Sequence, residues 1–205
     1  FSSGFESQRS YDMEVSMKDR KEVINEYYNN YDEDNRLAKD HTHSLEFIVT
    51  KKYIGRYLKE DDKILEVGAG TGRYSLYYAC KGFDVTSIEY TEHNLELLKS
   101  KIKDTMHIRA EQGDAVDLSR FEDNSFDVTL VLGPLYHLYD DRDIDKAIKE
   151  AVRVTKKEGI IAFAYISSDG VFANWGVDHL IDGYPDDFDD TFKMVRYHEG
   201  IFAPF

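Results

Sequence analysis

Three glycines at alternate positions, Gly68, Gly70 and Gly72, stand where a ligand could approach the backbone. They follow a short apolar run that carries Glu66 near its end, and the run is long enough for a buried strand but too short for a helix. A strand, a glycine-rich turn and a helix start together form the corner of an α/β sheet that grips phosphates or nucleosides. Glycine is needed there because a Cβ would block the tight turn and the close approach of a ligand.

The spacing of these residues narrows the choice of ligand. A dinucleotide fingerprint places glycine at the first, third and sixth positions, and the sixth position here is Arg73. The Gly-Lys-Ser/Thr of a P-loop is absent. What remains is acidic-x-Gly-x-Gly-x-Gly, from Glu66 to Gly72, and this pattern resembles the first motif of the class I S-adenosylmethionine (SAM)-dependent methyltransferases. The alternative is a glycine turn that binds no ligand.

The resemblance implies roles for the residues that follow the first two strands. One group would approach the methionine end of SAM: Glu66, Gly68, Ala69, Gly70 and Gly72. Glu89, at the end of the second strand, would accept both ribose hydroxyls, and Tyr90 beside it would lie against the adenine ring. We expect Glu89 to matter most for cofactor binding and little for stability without cofactor, since its side chain should project into the cleft. The alternative for Glu89 is an ordinary surface acid.

The third and fourth strands would supply the adenine side of the pocket. Asp114, followed by Ala115, resembles the acid that accepts a hydrogen bond from the exocyclic amine of adenine in this family, and the alternative is a turn aspartate. Leu132 would line the adenine pocket. The resemblance therefore implies SAM as the cofactor and S-adenosylhomocysteine (SAH) as the product.

Tyr136 and His137 are the candidate catalytic residues. They follow the fourth strand in the segment 132–138, which lacks the first polar residue and the second proline of Asp/Asn-Pro-Pro-Tyr/Phe. Methyltransferases of amino groups on DNA bases often carry that motif, so this segment is more similar to the small-molecule branch of the family. Either side chain could orient a methyl acceptor or remove its proton. The alternative is that both pack beneath the next helix.

Alternating strands and helices must bring these residues together. Apolar or β-branched runs predict five strands: 64–67, 84–89, 106–112, 126–132 and 160–166. Strands separated by helices of this length imply parallel pairing with right-handed crossovers, and ligands of such sheets bind beyond the carboxyl ends of the strands. The prediction is an α/β fold with a doubly wound, mostly parallel sheet, the Rossmann-like fold of the methyltransferases.

Residues that are typical of helix ends mark where the helices between these strands begin and end. Gly82 is expected to cap the first, and Thr91 to cap the second through its side chain. The last helix is predicted from Asp143 to Thr155, with two lysines, 156–157, at its C-terminal dipole and Gly159 ending it.

Two helices are predicted before the first strand, in a cap segment at 17–62 that follows a flexible arm or added residues at 1–16. The first starts near Met17, and the polar residues Asn29, Asn30, Asp32 and Asp34 are expected to break it. The second, from about Ser44 to Leu58, is expected to bury one apolar face: Leu45, Ile48, Val49, Tyr53, Tyr57 and Leu58. Helices in this position cover the cofactor site in small-molecule members of the family, so Tyr28 and Tyr31 could face a ligand or could pack on the core.

The predicted SAM-binding core at 63–166 is followed by 167–205, which is interpreted as a lid or an acceptor-binding segment. Its apolar and aromatic residues are scattered without a long regular element. Related methyltransferases usually finish with two further strands, and no strong strand pair stands out here. We therefore expect C-terminal strands to be missing from this chain.

Composition excludes some partners and leaves others open. The 205 residues suffice for one domain, and a formal net charge of −14 argues against nucleic acid as a partner. No apolar run is long enough to suggest a membrane span, and the single cysteine, Cys80, favours a reducing cytoplasm. No metal site is predicted, and the oligomeric state is undetermined.

The resulting prediction is a methyltransferase that moves the methyl group of SAM to a small-molecule acceptor by direct displacement. Two alternatives stay open: an RNA or protein methyltransferase with the same cofactor site, and a non-catalytic SAM-binding module that mediates interactions.

Overall fold

Five parallel strands form one sheet in this computed structural model, which describes residues 20–31, 33–36, 41–138 and 140–165. The strands are β1 (Lys63–Val67), β2 (Asp84–Glu89), β3 (Ile108–Gln112), β4 (Phe126–Val131) and β5 (Thr155–Phe163). Their order is β3-β2-β1-β4-β5, and every neighbouring pair is parallel. The chain winds outward from β1 to β3 and then returns to place β4 on the other side of β1. A ligand crevice is expected at this reversal, and the predicted doubly wound fold is confirmed.

Helices cover both faces of the sheet. They are α1 (Arg20–Asn30), α2 (Glu33–Arg36), α3 (His41–Ile54), α4 (Arg73–Cys80), α5 (Glu92–Ser100) and α6 (Asp141–Val154), with a 3-10 helix at Pro134–His137. Gly82 follows α4 with φ +95°, as its predicted capping role requires. Thr91 stands at the start of α5, but its hydroxyl donates to Glu89 instead of capping the helix, so the predicted side-chain cap is wrong.

Strand β1 lies at the centre because its side chains fill the core on both faces. Leu65 and Val67 belong to one apolar cluster, which also contains the buried residues of α6. Ile64 belongs to the other cluster, which contains buried residues of α4. Ile64 and Leu65 have no exposed surface, and complete burial of such side chains contributes on the order of 1.5–3 kcal/mol each. Alternation along β1 also directs Glu66 toward α4, on the same face as Ile64.

The boundary between the last helix and the last strand differs from the prediction. Helix α6 ends at Val154 and β5 starts at once, so the lysines at 156–157 lie in the strand. Pairing of β4 with β5 shifts register between Phe126 and Val128, and Lys156 forms an ion pair with Asp127 of β4. A Cβ on Gly159 would come within 2.6 Å of the Asp127 carbonyl oxygen. Gly159 therefore allows β5 to lie close to β4 where the pairing of these two strands is irregular, and it does not end a helix.

Helix α3 exposes the face that the sequence predicted to be buried. Its exposed residues, together with Tyr57 just beyond it, are 40–57% accessible: Leu45, Ile48, Val49, Tyr53 and Tyr57. The buried side carries Ile54 and Phe47, whose ring packs 5.0 Å from that of Tyr74 in α4. Both faces of α3 are apolar, so periodicity alone could not identify the packed one. Leu58, the last residue of the predicted face, packs as expected against the α4 side of the core.

Smaller boundary differences occur elsewhere. The structure starts β3 at Ile108 and ends β4 at Val131, which shortens both predicted strands. Helix α1 begins at Arg20 among the described residues, and the short helix α2 occupies a stretch that the sequence marked as a helix break. The predicted arm at 1–16, the predicted lid at 167–205 and the expectation that C-terminal strands are missing all concern residues outside those that the structure describes.

Gly72 determines how closely α4 and α5 can pack. Its φ is +87°, and a Cβ at this position would overlap Cδ1 of Leu98, a fully buried residue of α5. Two separate costs therefore oppose a side chain here: the left-handed backbone and the steric overlap. Gly82 provides a matched comparison, since its φ is +95° and nothing lies within 4 Å of a Cβ built there.

We expect Gly72→Ala to lower the free energy of unfolding by about 3 kcal/mol, and Gly82→Ala to lower it by about 1 kcal/mol. The difference between the two measures the overlap with Leu98, because both substitutions meet the same backbone strain. Urea denaturation of both variants and of the unsubstituted protein tests this. Equal losses would show that α5 does not press on Gly72.

Candidate functional site at the carboxyl edge of the sheet

The loops that follow β1, β2, β3 and β4 meet at the carboxyl edge of the sheet. The amides of Gly68 and Ala69 donate to the Ile88 carbonyl at 2.8 and 3.0 Å, which ties the glycine loop to the end of β2. The Gly113 amide donates to the Glu89 carbonyl at 3.0 Å, which ties the β3 loop to the same place. Backbone hydrogen bonds therefore hold three of the loops that carry predicted site residues.

The glycine loop adopts a backbone that side chains disfavour. The φ angles of Gly68, Gly70 and Gly72 are +73°, +54° and +87°, all in the left-handed region. A Cβ on Gly68 would lie 2.5 Å from Cγ of Pro134, in the loop after β4. Direct contact between Gly68 and Pro134 therefore closes the crevice between β1 and β4 at this point.

Glu89 is buried at the end of β2 and connects two loops. Its Oε2 accepts from the Gly70 amide at 2.7 Å, and its Oε1 accepts from the Thr91 amide at 2.9 Å and the Thr91 hydroxyl at 2.8 Å. The residue is only 5% exposed. The strand end therefore places this side chain within the loop framework, whereas the sequence led us to expect that it projects into the cleft. The expected small effect on stability without cofactor rested on that projection.

Glu66 is buried beneath the glycine loop. Ser75 of α4 donates its hydroxyl to Glu66 Oε2 and accepts from the Ser87 hydroxyl of β2 at 2.7 Å. Burial raises the pKa of Glu66 to about 8, against the opposing effect of the Ser75 hydrogen bonds. The carboxyl group is therefore mostly neutral at pH 7. A role in cofactor binding stays a prediction for Glu66.

The predicted adenine-side residues lie on the neighbouring loops. Oδ1 of Asp114 accepts from the Val116 amide at 3.2 Å, so this acid also shapes its own turn. Ala115 is buried in the α6-side cluster, and Leu132 is half-buried against the α4-side cluster. Tyr90 is also half-buried. Its backbone carbonyl accepts a hydrogen bond from the Gln112 side chain at 3.1 Å. Their contacts with adenine stay predictions.

Tyr136 and His137 both lie on the 3-10 helix after β4. The Tyr136 hydroxyl donates to the Leu132 carbonyl at 3.0 Å, within the same loop. The ring nitrogen Nε2 of His137 shares a hydrogen bond of 3.0 Å with the hydroxyl of Tyr28, and the two rings meet edge to face. Helix α1 thus reaches the candidate catalytic loop through Tyr28, whereas Tyr31 stacks on Tyr27.

Helix α2 contributes two acids that the sequence did not mark as site residues. Oδ1 of Asp34 accepts from the Thr71 hydroxyl at 2.9 Å and pairs with Lys101, which also donates to the Thr71 carbonyl at 3.1 Å. The Lys101 hydrogen bond is the largest cause of a lowered pKa at Asp34. The Cγ and Oε1 atoms of Glu33 lie 3.4 and 3.5 Å from where a Cβ of Gly70 would stand.

Only the helix-breaking character of this acidic stretch was visible in the sequence. Nothing in the spacing of Glu33 and Asp34 connects them to a loop more than thirty residues away. A long-range contact of this kind leaves no local periodic signal.

The geometry suits a nucleoside that carries an amino-acid chain. The glycine loop presents a Cβ-free backbone, and Glu89 presents a carboxylate beside it. Protein groups already donate three hydrogen bonds to the carboxylate of Glu89. Acceptance of the ribose hydroxyls by Glu89 stays a prediction.

A glycine loop, an acid at the end of β2 and a doubly wound parallel sheet are the features on which the resemblance to the class I methyltransferases rests. Residues 65–163, just under half of the chain, match the family model described as "Methyltransferase domain". This match supports the class I SAM-dependent methyltransferase assignment that the sequence predicted.

Individual relatives agree with this assignment. YqeM of Bacillus subtilis (strain 168), whose name marks it as an inferred methyltransferase, is 35% identical over 118 residues, covering 57% of this chain and 47% of the relative. A demethylmenaquinone methyltransferase of Paenarthrobacter aurescens (strain TC1) is 36% identical over 110 residues, covering 54% of this chain and 41% of the relative. The chain spans about half the length of the curated relatives that it matches.

A solved structure supports the fold over a longer stretch. The PH0226 protein of Pyrococcus horikoshii OT3 superposes with a TM-score of 0.62 at 22% identity, covering 78% of this chain and 74% of that protein. Within the described residues, no helix combines the length and the apolar character required to cross a bilayer.

We expect Glu89→Ala to weaken SAH binding roughly tenfold to a hundredfold and also to lower the free energy of unfolding without ligand by about 3 kcal/mol. Both effects have one cause, because the removed carboxylate is an acceptor for the protein and, in our interpretation, for the ribose. Glu89→Gln should cause smaller losses of affinity and stability than Glu89→Ala, since its single amide oxygen can replace only one of the two carboxylate oxygens as an acceptor. Calorimetric titration and urea denaturation measure the two effects.

Glu92→Gln is the control, an exposed acid in the first turn of α5 that should change stability by less than about 0.5 kcal/mol. If Glu89→Ala folds and binds SAH as tightly as the unsubstituted protein, Glu89 does not bind the ribose.

Proposed function

We propose that this chain transfers the methyl group of SAM to a small-molecule acceptor and releases SAH. The observation that carries the proposal is the meeting of three features at one edge of the sheet. These are the Cβ-free glycine loop, the buried carboxylate of Glu89 and the loop that bears Tyr136 and His137. The methyltransferase domain match at 65–163 covers all three.

The cofactor side would be formed largely by backbone. Gly68, Ala69 and Gly70 would follow the methionine end, Glu89 would accept from the ribose, and Asp114 and Leu132 would bound the adenine. SAM, when bound, supplies a methyl group already activated on a sulfonium. The work left to the chain is to align the acceptor with that methyl group and to exclude water.

The acceptor side would be formed by the 3-10 helix and α1. His137 is half-buried and its ring is held by the Tyr28 hydroxyl, so its orientation is restricted. We propose that His137 takes a proton from the acceptor, and that Tyr136 helps to orient the acceptor. A positioned general base typically contributes a factor of about 10²–10⁴ to the rate.

A small acceptor is favoured over a polynucleotide by charge. The formal net charge of −14 would repel phosphates, and the chain shows no motif of the DNA-base amino methyltransferases. Relatives named demethylmenaquinone methyltransferase make that compound a reasonable member of a test panel. We place the reaction in the cytoplasm, because the whole sequence contains a single cysteine.

The direct test incubates the protein with SAM labelled in its methyl group, together with fractionated cell extract and demethylmenaquinone. We expect label in the small-molecule fraction. His137→Ala should reduce the rate of labelling by about a hundredfold while SAH affinity changes less than about threefold, because the ring acts on the acceptor side. His93→Ala, which removes an exposed histidine of α5, is the matched control and should retain the full rate.

Other outcomes separate the alternatives. Label in the RNA or protein fraction would contradict a small acceptor. Tight SAH binding without label in any fraction would indicate a non-catalytic SAM-binding module. A full rate in His137→Ala would remove this residue from the chemistry without affecting the cofactor assignment.

A further inference from the structure

We propose that Glu33 of α2 is a cofactor ligand that recognises the positively charged α-ammonium group at the methionine end of SAM and SAH. This inference rests on the proposed use of SAM and extends it to a residue outside the matched domain at 65–163. The observation behind it is the contact of a carboxylate from the N-terminal segment with the glycine loop itself.

Glu33 lies on the exposed side of the loop that Glu89 supports from within. Its Cγ, Oε1 and Cδ atoms lie 3.4, 3.5 and 3.8 Å from the position of a Cβ on Gly70. The amide of Gly70 donates to Glu89 Oε2 at 2.7 Å. Gly70 thus lies between two carboxylates, that of the buried Glu89 and that of the half-buried Glu33.

Asp34 holds Glu33 in this place. The Thr71 hydroxyl donates to Asp34 Oδ1 at 2.9 Å, and Lys101 bridges Asp34 to the Thr71 carbonyl. Thr71 is the neighbour of Gly70 in the loop, so the two consecutive acids of α2 contact two consecutive loop residues. A side chain anchored in this way gives up less conformational freedom when it binds a ligand.

The chemistry of the ligand matches this placement. A nucleoside whose ribose meets Glu89 and whose amino-acid chain follows the glycine loop would bring its ammonium group toward Gly70. A carboxylate is the natural acceptor for an ammonium group, and a charge-assisted hydrogen bond is about twice as strong as a neutral one. Glu66, an acid beneath the loop, is buried, bonded to Ser75 and mostly neutral at pH 7, so it supplies little negative charge there.

Two probes isolate the ammonium group: SAH, which carries it, and 5′-methylthioadenosine, which keeps the adenosine and thioether but lacks the amino-acid chain. We expect Glu33→Gln to weaken SAH binding about tenfold, or about 1.4 kcal/mol, and to change 5′-methylthioadenosine binding less than about twofold. Glu33→Asp, which keeps the charge on a shorter side chain, should lose less SAH affinity than Glu33→Gln. Titration calorimetry measures all of these affinities.

Glu22→Gln is the matched control, because it removes the same charge from an exposed position on α1 and should leave both affinities unchanged. Melting temperatures of all variants verify that they are folded. Unchanged SAH affinity in Glu33→Gln, or equal losses for both probes, would overturn the role of Glu33 while leaving SAM use intact. Failure of the unsubstituted protein to bind either probe would instead contradict the proposed function, and the inference with it.

Discussion

The absence of side chains at three alternate positions of one loop is the constraint on which the rest of the structure depends. Each glycine is met by a different part of the chain: Pro134 after β4 contacts Gly68, Glu33 of α2 contacts Gly70, and Leu98 of α5 contacts Gly72. The left-handed backbone angles disfavour a Cβ at all three glycines, and steric overlap excludes one at Gly68 and at Gly72 as well. The loop is therefore the point at which the sheet, its flanking helix and the N-terminal segment converge.

Glu89 and Glu66, two acids near this loop, have different surroundings. Glu89 accepts hydrogen bonds from the Gly70 amide and from Thr91, which bind it into the loop framework. Glu66 lies inside the core, where burial raises its pKa to about 8 and keeps it largely uncharged at neutral pH. Position along the strands accounts for the contrast, since Glu89 stands at the end of β2 beside the loops and Glu66 lies within β1 against Ser75 of α4.

The sequence predicted the parts of the fold that have strong local signals. The bounds of β2, and those of β1 to within one residue, follow from compact apolar and β-branched runs. The glycine spacing argues against dinucleotide and P-loop sites. The end of α6 was misplaced because the lysines at 156–157 suit a helix terminus as well as an exposed strand. The packed face of α3 was misassigned because apolar residues surround that helix.

The site was predictable only where it is built from consecutive residues after a strand. Glu89 was identified, but its place within the loop framework was not, since that depends on Gly70 and Thr91 folding around it. The contributions of Tyr28, Glu33 and Asp34 depend on contacts between segments distant in sequence. Composition and periodicity carry no information about such contacts, because the chain must first form the sheet that brings the segments together.

Calorimetric titration of the unsubstituted protein with SAH and, separately, with NAD tests the central claim most directly. The same corner of an α/β sheet binds either ligand depending on glycine spacing and on the residue at the sixth position, which is Arg73 here. We expect saturable binding of SAH and no detectable binding of NAD at matched concentrations. Saturable binding of NAD with no signal from SAH would contradict the assignment of the glycine loop, and with it the ligand roles derived from that loop.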